Sequence, residues 1–332
     1  MAAAGKLRVH IKNNRAGEEV FRITPARWRA ACRRHPETAQ RITACIDWDL
    51  DRFDVSMRRA GALLTWDLPT DDLAVRAPAL RLIHVIGAGV EHLAPFDWLP
   101  PGVRLTNNRG VHADKAADYL TMALLMLNAG LPKLAGDQRA RRWDPVFTGT
   151  IAGKTVAVVG TGHMGAVAAR CGRRLKLKVL GVRRRPRPTA HFDEVAGVAA
   201  LPRVLARADF VVAALPETPA TRGLLDARAI AAMKPGAGLI NIGRAATLDH
   251  AALAAALGSG RLSGAILDVF AREPLPRNDP LWRVANLLIT PHVSSDNLDG
   301  YVPKTLDLFF ANLARLLAGR RLLNRVDPSQ GY

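Results

Sequence analysis

The run Val159-Gly160-Thr161-Gly162-His163-Met164-Gly165 has the form G-x-G-x-x-G. It follows a β-branched stretch, 155–159, and opens a helical pattern, which is the context that gives the motif its meaning. Gly160 permits the tight turn and Gly162 lets the backbone approach a diphosphate. Gly165 lets helix and strand pack closely, and the helix N-terminus, with His163 and Met164 in its first turn, favours negative charge. Dinucleotide binding is the expectation. Gly153-Lys154-Thr155 does not complete a nucleoside-triphosphate loop, because Thr148 stands where the earlier glycine is needed.

The next strand, expected at 178–182, runs into Arg183-Arg184-Arg185-Pro186. Sites for NAD carry an Asp or Glu about 20 residues beyond the glycines to hold the ribose hydroxyls. Here that acid is missing and Arg183 takes its place. Guanidinium groups make bidentate, charge-assisted bonds to a ribose 2′-phosphate. NADP, with NADPH preferred, is the expected cofactor; NAD is the alternative. Arg183 and Arg184 are the candidates for that phosphate.

Positioning such groups takes a sheet. Short apolar strands are expected at 6–11, 62–65, 80–86 and 103–106, and then at 155–159, 178–182, 210–214, 239–242, 265–269 and 287–290. Helical patterns fall at 25–32 (capped by Thr24), 113–128, 163–172, 202–207, 226–233, 249–257 and 305–317. Helix 113–128 is apolar on most faces and is expected to lie between layers. Uniformly apolar strands alternating with helices imply parallel sheets covered on both faces. The fold class is α/β with two domains. A Rossmann-type doubly wound sheet, 108–296, is inserted into a flavodoxin-like substrate domain formed by 1–107 plus 297–332.

Several blocks together resemble one family, the D-isomer-specific 2-hydroxyacid dehydrogenases, which includes glyoxylate/hydroxypyruvate reductases and phosphoglycerate dehydrogenases. They are Gly87-Ala88-Gly89-Val90-Glu91, Asn108-Arg109-Gly110-Val111, the glycine loop, Leu215-Pro216-Glu217-Thr218-Pro219, Asn241-Ile242-Gly243-Arg244, Leu267 to Pro274, and Thr290-Pro291-His292-Val293. Trp66 in a short loop with Pro69, Pro280-Leu281-Trp282, and the C-terminal Val326-Asp327 and Gly331-Tyr332 are similar to the NADPH-using glyoxylate/hydroxypyruvate reductases.

The resemblance implies hydride transfer from NADPH to a small 2-oxo acid, giving the D-2-hydroxy acid. In it, His292 is the acid/base, Glu273 pairs with that histidine and orients it, and Arg244 binds the substrate carboxylate and carbonyl oxygen through its planar fork. Ala88 and Gly89 offer amides to the substrate carboxylate, and Trp66 walls the pocket. Leu215, Pro216, Thr221, Ile242, Gly243, Asp268 and Ser294 join the glycine loop in cofactor binding, Asp268 on the nicotinamide side. A homodimer through the dinucleotide domain follows, with helix 113–128 at its interface. Ala245-Ala246 and Asp118 depart from the common pattern without removing a group the chemistry needs.

Composition narrows the remainder. Of 332 residues, 49% are hydrophobic and 23% charged, enough to build cores and too apolar for a disordered chain. No run reaches 18 uncharged apolar residues, and Met1–His10 lacks the apolar core of a secretory leader. Cys32, Cys45 and Cys171 are far apart, so neither a disulfide framework nor a structural metal site is expected. A cytoplasmic protein without membrane partners follows. The net charge of +18 suits nucleic acid. Its arginines are scattered, however, and no aromatics alternate with them, so nucleic acid is not an expected partner. The rival readings are a cofactor-sensing binding protein of corepressor type, and a dehydrogenase for a larger 2-oxo acid.

Overall fold

A computed structural model describes residues 5–329. Gly331-Tyr332 and the first four residues of the leader reading lie outside the described residues. The chain divides into two compact units, one built from the residues up to His112 together with those from Asp296 on, the other from Ala113–Ser295. The first crossing follows His112 rather than the expected 107. The intervening residues are tied to the first unit: the Asn108 amide donates to the Gly87 carbonyl at 2.9 Å, and His112 packs edge-on against Tyr301.

In the first unit, β1 (Leu7–Asn13), β2 (Ile42–Trp48), β3 (Ala62–Thr65), β4 (Leu82–Val85) and β5 (Arg104–Asn107) form a sheet of order β2-β1-β3-β4-β5, parallel throughout. Successive side chains on these strands face opposite ways. Val9, Ile11, Leu64 and Leu82 pack with Leu306, Phe309, Phe310 and Leu313 of the helix Tyr301–Leu317. Leu63, Ile83, Val85 and Leu105 pack on the other face with Phe53 and Met57. That first core is why the C-terminal segment returns to the N-terminal sheet. The helix Pro25–Arg34 begins as expected, with the Thr24 hydroxyl accepting from the Arg27 amide.

The second unit holds β6 (Thr155–Val159), β7 (Lys178–Val182), β8 (Glu194–Ala196), β9 (Phe210–Ala213), β10 (Gly238–Asn241), β11 (Gly264–Leu267) and β12 (Leu287–Ile289). Their order is β12-β11-β10-β9-β6-β7-β8, again all parallel. Val156 and Val158 enter one core and Ala157 and Val159 the other, so both faces of β6 are covered. The strand order reverses beside β6, and ligands of doubly wound sheets bind outside the carboxyl ends of the strands at such a reversal.

Two elements differ from expectation. The helix Ala113–Asn128 buries Tyr119, Leu120, Ala123, Leu124 and Leu127 but leaves Met122 and Leu125 at 44% and 43% exposure. It is covered on one side only. Gly130-Leu131-Pro132 both ends this helix and starts another, Leu131–Arg139: Gly130 takes the left-handed conformation (φ 68°), and Pro132 sits in the new first turn. Among the described residues, no helix is long and apolar enough to cross a membrane.

Candidate active site

The glycine loop leaves β6 and enters the helix His163–Arg174 through Gly162, whose position lacks a side-chain cap. The first-turn amides therefore keep their capacity for an anion. Gly160 has φ 99°, and a Cβ there would lie 2.6 Å from the Ala214 carbonyl oxygen. A Cβ at Gly165 would strike the Gly160 carbonyl, whereas at Gly162 it would meet nothing within 4 Å. Two glycines are thus demanded by packing, and the third faces open space. The Thr161 hydroxyl is buried and, among the described residues, has no hydrogen-bond partner. A buried hydroxyl without a protein partner beside a helix N-terminus that no side chain caps fits a phosphate-bearing ligand.

At the end of β7, the Arg183 backbone amide donates to the Ala196 carbonyl at 3.0 Å and its guanidinium reaches the Thr189 hydroxyl at 3.4 Å. Arg183 is half-buried and Arg184 exposed. Leu215 and Pro216 follow β9, where the Thr221 hydroxyl braces the turn by donating to the Pro216 carbonyl at 2.7 Å. Ile242 and Gly243 follow β10. A Cβ on Gly243 would lie 2.7 Å from the Leu215 carbonyl oxygen, so these two strand ends touch.

The candidate catalytic groups leave three adjacent strands at the same sheet edge. Arg244 follows β10, Asp268 and Glu273 follow β11, and His292 follows β12. His292 Nδ1 lies 2.7 Å from Glu273 Oε2, and Glu273 Oε1 accepts the Phe270 amide at 2.8 Å. An ionised carboxylate can only accept, so Nδ1 carries the proton in that bond and Nε2 is the nitrogen left for a ligand. His292 itself has φ 54° and its side chain is 47% exposed. Arg244 is half-buried, with Nη1 donating to the Gly243 carbonyl at 2.9 Å.

Asp268 is fully buried beneath the histidine loop. Its Oδ1 accepts the Thr290 hydroxyl at 2.6 Å and the Val293 amide at 3.0 Å, and its Oδ2 accepts the Ser294 amide at 3.0 Å. Three of about four lone-pair sites are taken by the loop that presents His292, which leaves one for a ligand. Thr290 spends its single hydrogen on Asp268, so the Tyr119 hydroxyl donates to Thr290 Oγ1 at 2.7 Å. Burial pushes the Tyr119 phenol up to about 12, which keeps it a donor. Neither Tyr119 nor Thr290 stands out in the sequence as part of this chain of bonds.

In the first unit, Ala88 and Gly89 lie in the turn after β4. Trp66 packs onto that turn: a Cβ on Gly87 would come within 2.3 Å of its ring. The indole is 42% exposed and stacks on the His92 ring at 4.1 Å, while His92 Nε2 lies 2.8 Å from the Trp66 carbonyl oxygen. Trp66 is a surface over the turn, and His92 is its unanticipated support. Among the described residues, no group of His, Cys, Asp and Glu is arranged to hold a metal ion.

The family model for the D-isomer specific 2-hydroxyacid dehydrogenase NAD binding domain matches residues 121–294. The D-3-phosphoglycerate dehydrogenase of Mycobacterium tuberculosis is 32% identical over 288 residues, covering 85% of this chain and 54% of that protein. The chain thus spans about half the length of that relative. Human glyoxylate reductase/hydroxypyruvate reductase is 32% identical over 253 residues, 73% of this chain and 74% of the human one. A D-isomer specific 2-hydroxyacid dehydrogenase from Xanthobacter autotrophicus Py2, solved with NADPH and MES, superposes with a TM-score of 0.84 at 33% identity, covering 99% of this chain and all of that one. Fold, motif order and family model agree: the chain belongs to the D-isomer specific 2-hydroxyacid dehydrogenases.

Proposed function

We propose that this chain is an NADPH-dependent reductase of small 2-oxo acids such as glyoxylate and hydroxypyruvate, producing the 2-hydroxy acid, of D configuration where a stereocentre forms. The observation that carries the reading is the His292–Glu273 pair at the carboxyl edge of the sheet that also bears the glycine loop. The human relative's name and the NADPH in the Xanthobacter structure support it.

Gly160, Gly162, His163, Met164 and Gly165 hold the diphosphate, and Arg183 with Arg184 the 2′-phosphate. Leu215, Pro216, Thr221, Ile242, Gly243 and Ser294 would line the remainder, and Asp268 would serve the nicotinamide side with the lone pair its loop leaves over. NADPH bound there supplies the hydride for the carbonyl carbon. His292 gives the proton on Nε2 to the carbonyl oxygen, while Glu273 keeps Nδ1–H in place so that the ring is left as the correct neutral tautomer. Arg244 grips the carboxylate and the oxygen on which charge develops. Ala88 and Gly89 take the carboxylate through their amides, and Trp66 limits the side chain.

The active form is a homodimer in the cytoplasm. The uncovered face of the helix Ala113–Asn128, together with Trp143 and Phe147 at 98% and 93% exposure, supplies the apolar surface for it. A panel of 2-oxo acids assayed with NADPH and NADH tests the reading. Tight NADPH binding with no turnover of any 2-oxo acid would favour a cofactor sensor instead.

A further inference from the structure

Three carbonyls of the turn after β4 are pinned in succession, all by residues of the same unit. The Ile86 carbonyl accepts from Asn108 Nδ2 and from the Tyr301 hydroxyl. The Gly87 carbonyl accepts the Asn108 amide at 2.9 Å, and the Ala88 carbonyl accepts Asn107 Nδ2 at 2.7 Å. These peptide bonds are trans, and in a planar trans peptide the carbonyl and the following N–H point in opposite directions. Tying down the carbonyls of 86, 87 and 88 therefore aims the amides of Gly87, Ala88 and Gly89 away from the anchors. Among the described residues, no acceptor takes those three amides.

The anchors are themselves locked. Asn108 is fully buried and spends its second amide hydrogen on the Thr305 hydroxyl at 2.7 Å, which in turn donates to the Tyr301 carbonyl at 2.8 Å. Its Oδ1 can then only accept, so the His84 Nε2 at 3.0 Å carries a proton and Nδ1 accepts from the Thr106 hydroxyl at 2.8 Å. The Thr106 hydroxyl has a second, longer acceptor in the Ile83 carbonyl at 3.2 Å, and the Asn108 side chain has a partner for its oxygen and for both amide hydrogens. Networks satisfied to that degree are rigid.

We infer that Asn107, Asn108 and Tyr301 are positioning residues that preorganise the Gly87–Gly89 amides as a three-donor cradle for a carboxylate. The inference rests on the reading, given above, that this turn takes the substrate carboxylate, and adds which residues set its donor geometry. None of the three touches substrate. They lower the cost of ordering the turn before the anion arrives.

The test compares glyoxylate with its uncharged ethyl ester, both with NADPH, in wild type, Tyr301→Phe and Asn108→Ala. Tyr301→Phe deletes one donor and keeps the ring that packs against Phe21 and His112, so the result stands even where Asn108→Ala fails to fold. The wild type should prefer the acid. Losing an anchor should lower kcat/KM for glyoxylate by roughly tenfold, mostly through KM, and for the ester by less than about threefold. The acid-to-ester ratio should therefore fall, with KM for NADPH unchanged. An unchanged ratio in both variants, or equal losses on acid and ester, would overturn the positioning role while leaving the carboxylate reading intact. A wild type with no preference for the acid would overturn that reading and the inference with it.

Discussion

His292 Nδ1 stands 2.7 Å from Glu273 Oε2, and the other oxygen of that carboxylate is fixed by the Phe270 amide. Glu273 thus cannot rotate freely, and the ring it holds presents Nε2. Glu273→Gln keeps the shape but cannot satisfy both partners. If its amide oxygen serves one N–H, its NH2 group confronts the other. Loss of the orienting carboxylate costs about 10⁴-fold in hydrolase triads, so kcat for reduction should fall by at least about 10²-fold. Steady-state kinetics with a separate NADPH titration checks this, and unchanged kcat would mean that the pair is only structural.

Arg244→Lys keeps the positive charge and loses the planar fork. Because carboxylate and developing alkoxide both need that fork, KM for the oxo acid should rise and kcat should fall together. An effect confined to NADPH affinity would move Arg244 into the cofactor site.

Arg183 stands where NAD sites carry an acid, and its guanidinium makes a long contact, 3.4 Å, to the Thr189 hydroxyl. A charged hydrogen bond contributes about 1.5–3 kcal/mol, or roughly 10–150-fold. Arg183→Asp should cut kcat/KM for NADPH at least about tenfold and leave NADH use equal or better. Part of the wild-type preference should fade with added salt, since the group is partly exposed. Equal use of both cofactors by the wild type at low salt would reduce the arginines to a solvated turn.

His84 gives a pH prediction for stability. Burial, only partly offset by its bond to Asn108, pushes this histidine down to about 4, below its ordinary value of 6.5. The unfolded chain binds the proton first, so stability contributed by neutral His84 is present at pH 7 and drains as pH falls from about 6.5 toward about 4. Between pH 7 and pH 5 the loss is about 2 kcal/mol. Urea unfolding of wild type and His84→Gln at both pH values should show the smaller drop in the variant. Equal drops would mean that His84 is not the group responsible.

Much of the second unit was legible because its strands are continuous apolar runs and its loops carry glycines that packing demands, as at Gly160 and Gly165. β2 was not, since Thr43 and Ala44 are exposed at the sheet edge and the strand lacks an apolar run. β8 is three residues long and leaves no periodicity to read. The three groups at the sheet edge could be named from their blocks, yet the bonds that place them could not. Asn108 meets Thr305 across 197 residues of chain, and Tyr119 reaches Thr290 across 171. Those partners depend on tertiary packing. Asp268 shows the same limit: its place at a strand end was expected, but not that it holds the histidine loop from below.

The most direct measurement is NADPH oxidation with glyoxylate, product quantified, in wild type and His292→Ala, alongside NADPH binding by both. One 2-hydroxy acid should form per NADPH oxidised, and His292→Ala should lose roughly 10²–10⁴-fold in kcat while binding NADPH with nearly the wild-type Kd. Turnover by His292→Ala close to wild type would contradict the proton-transfer role on which the proposed reaction depends.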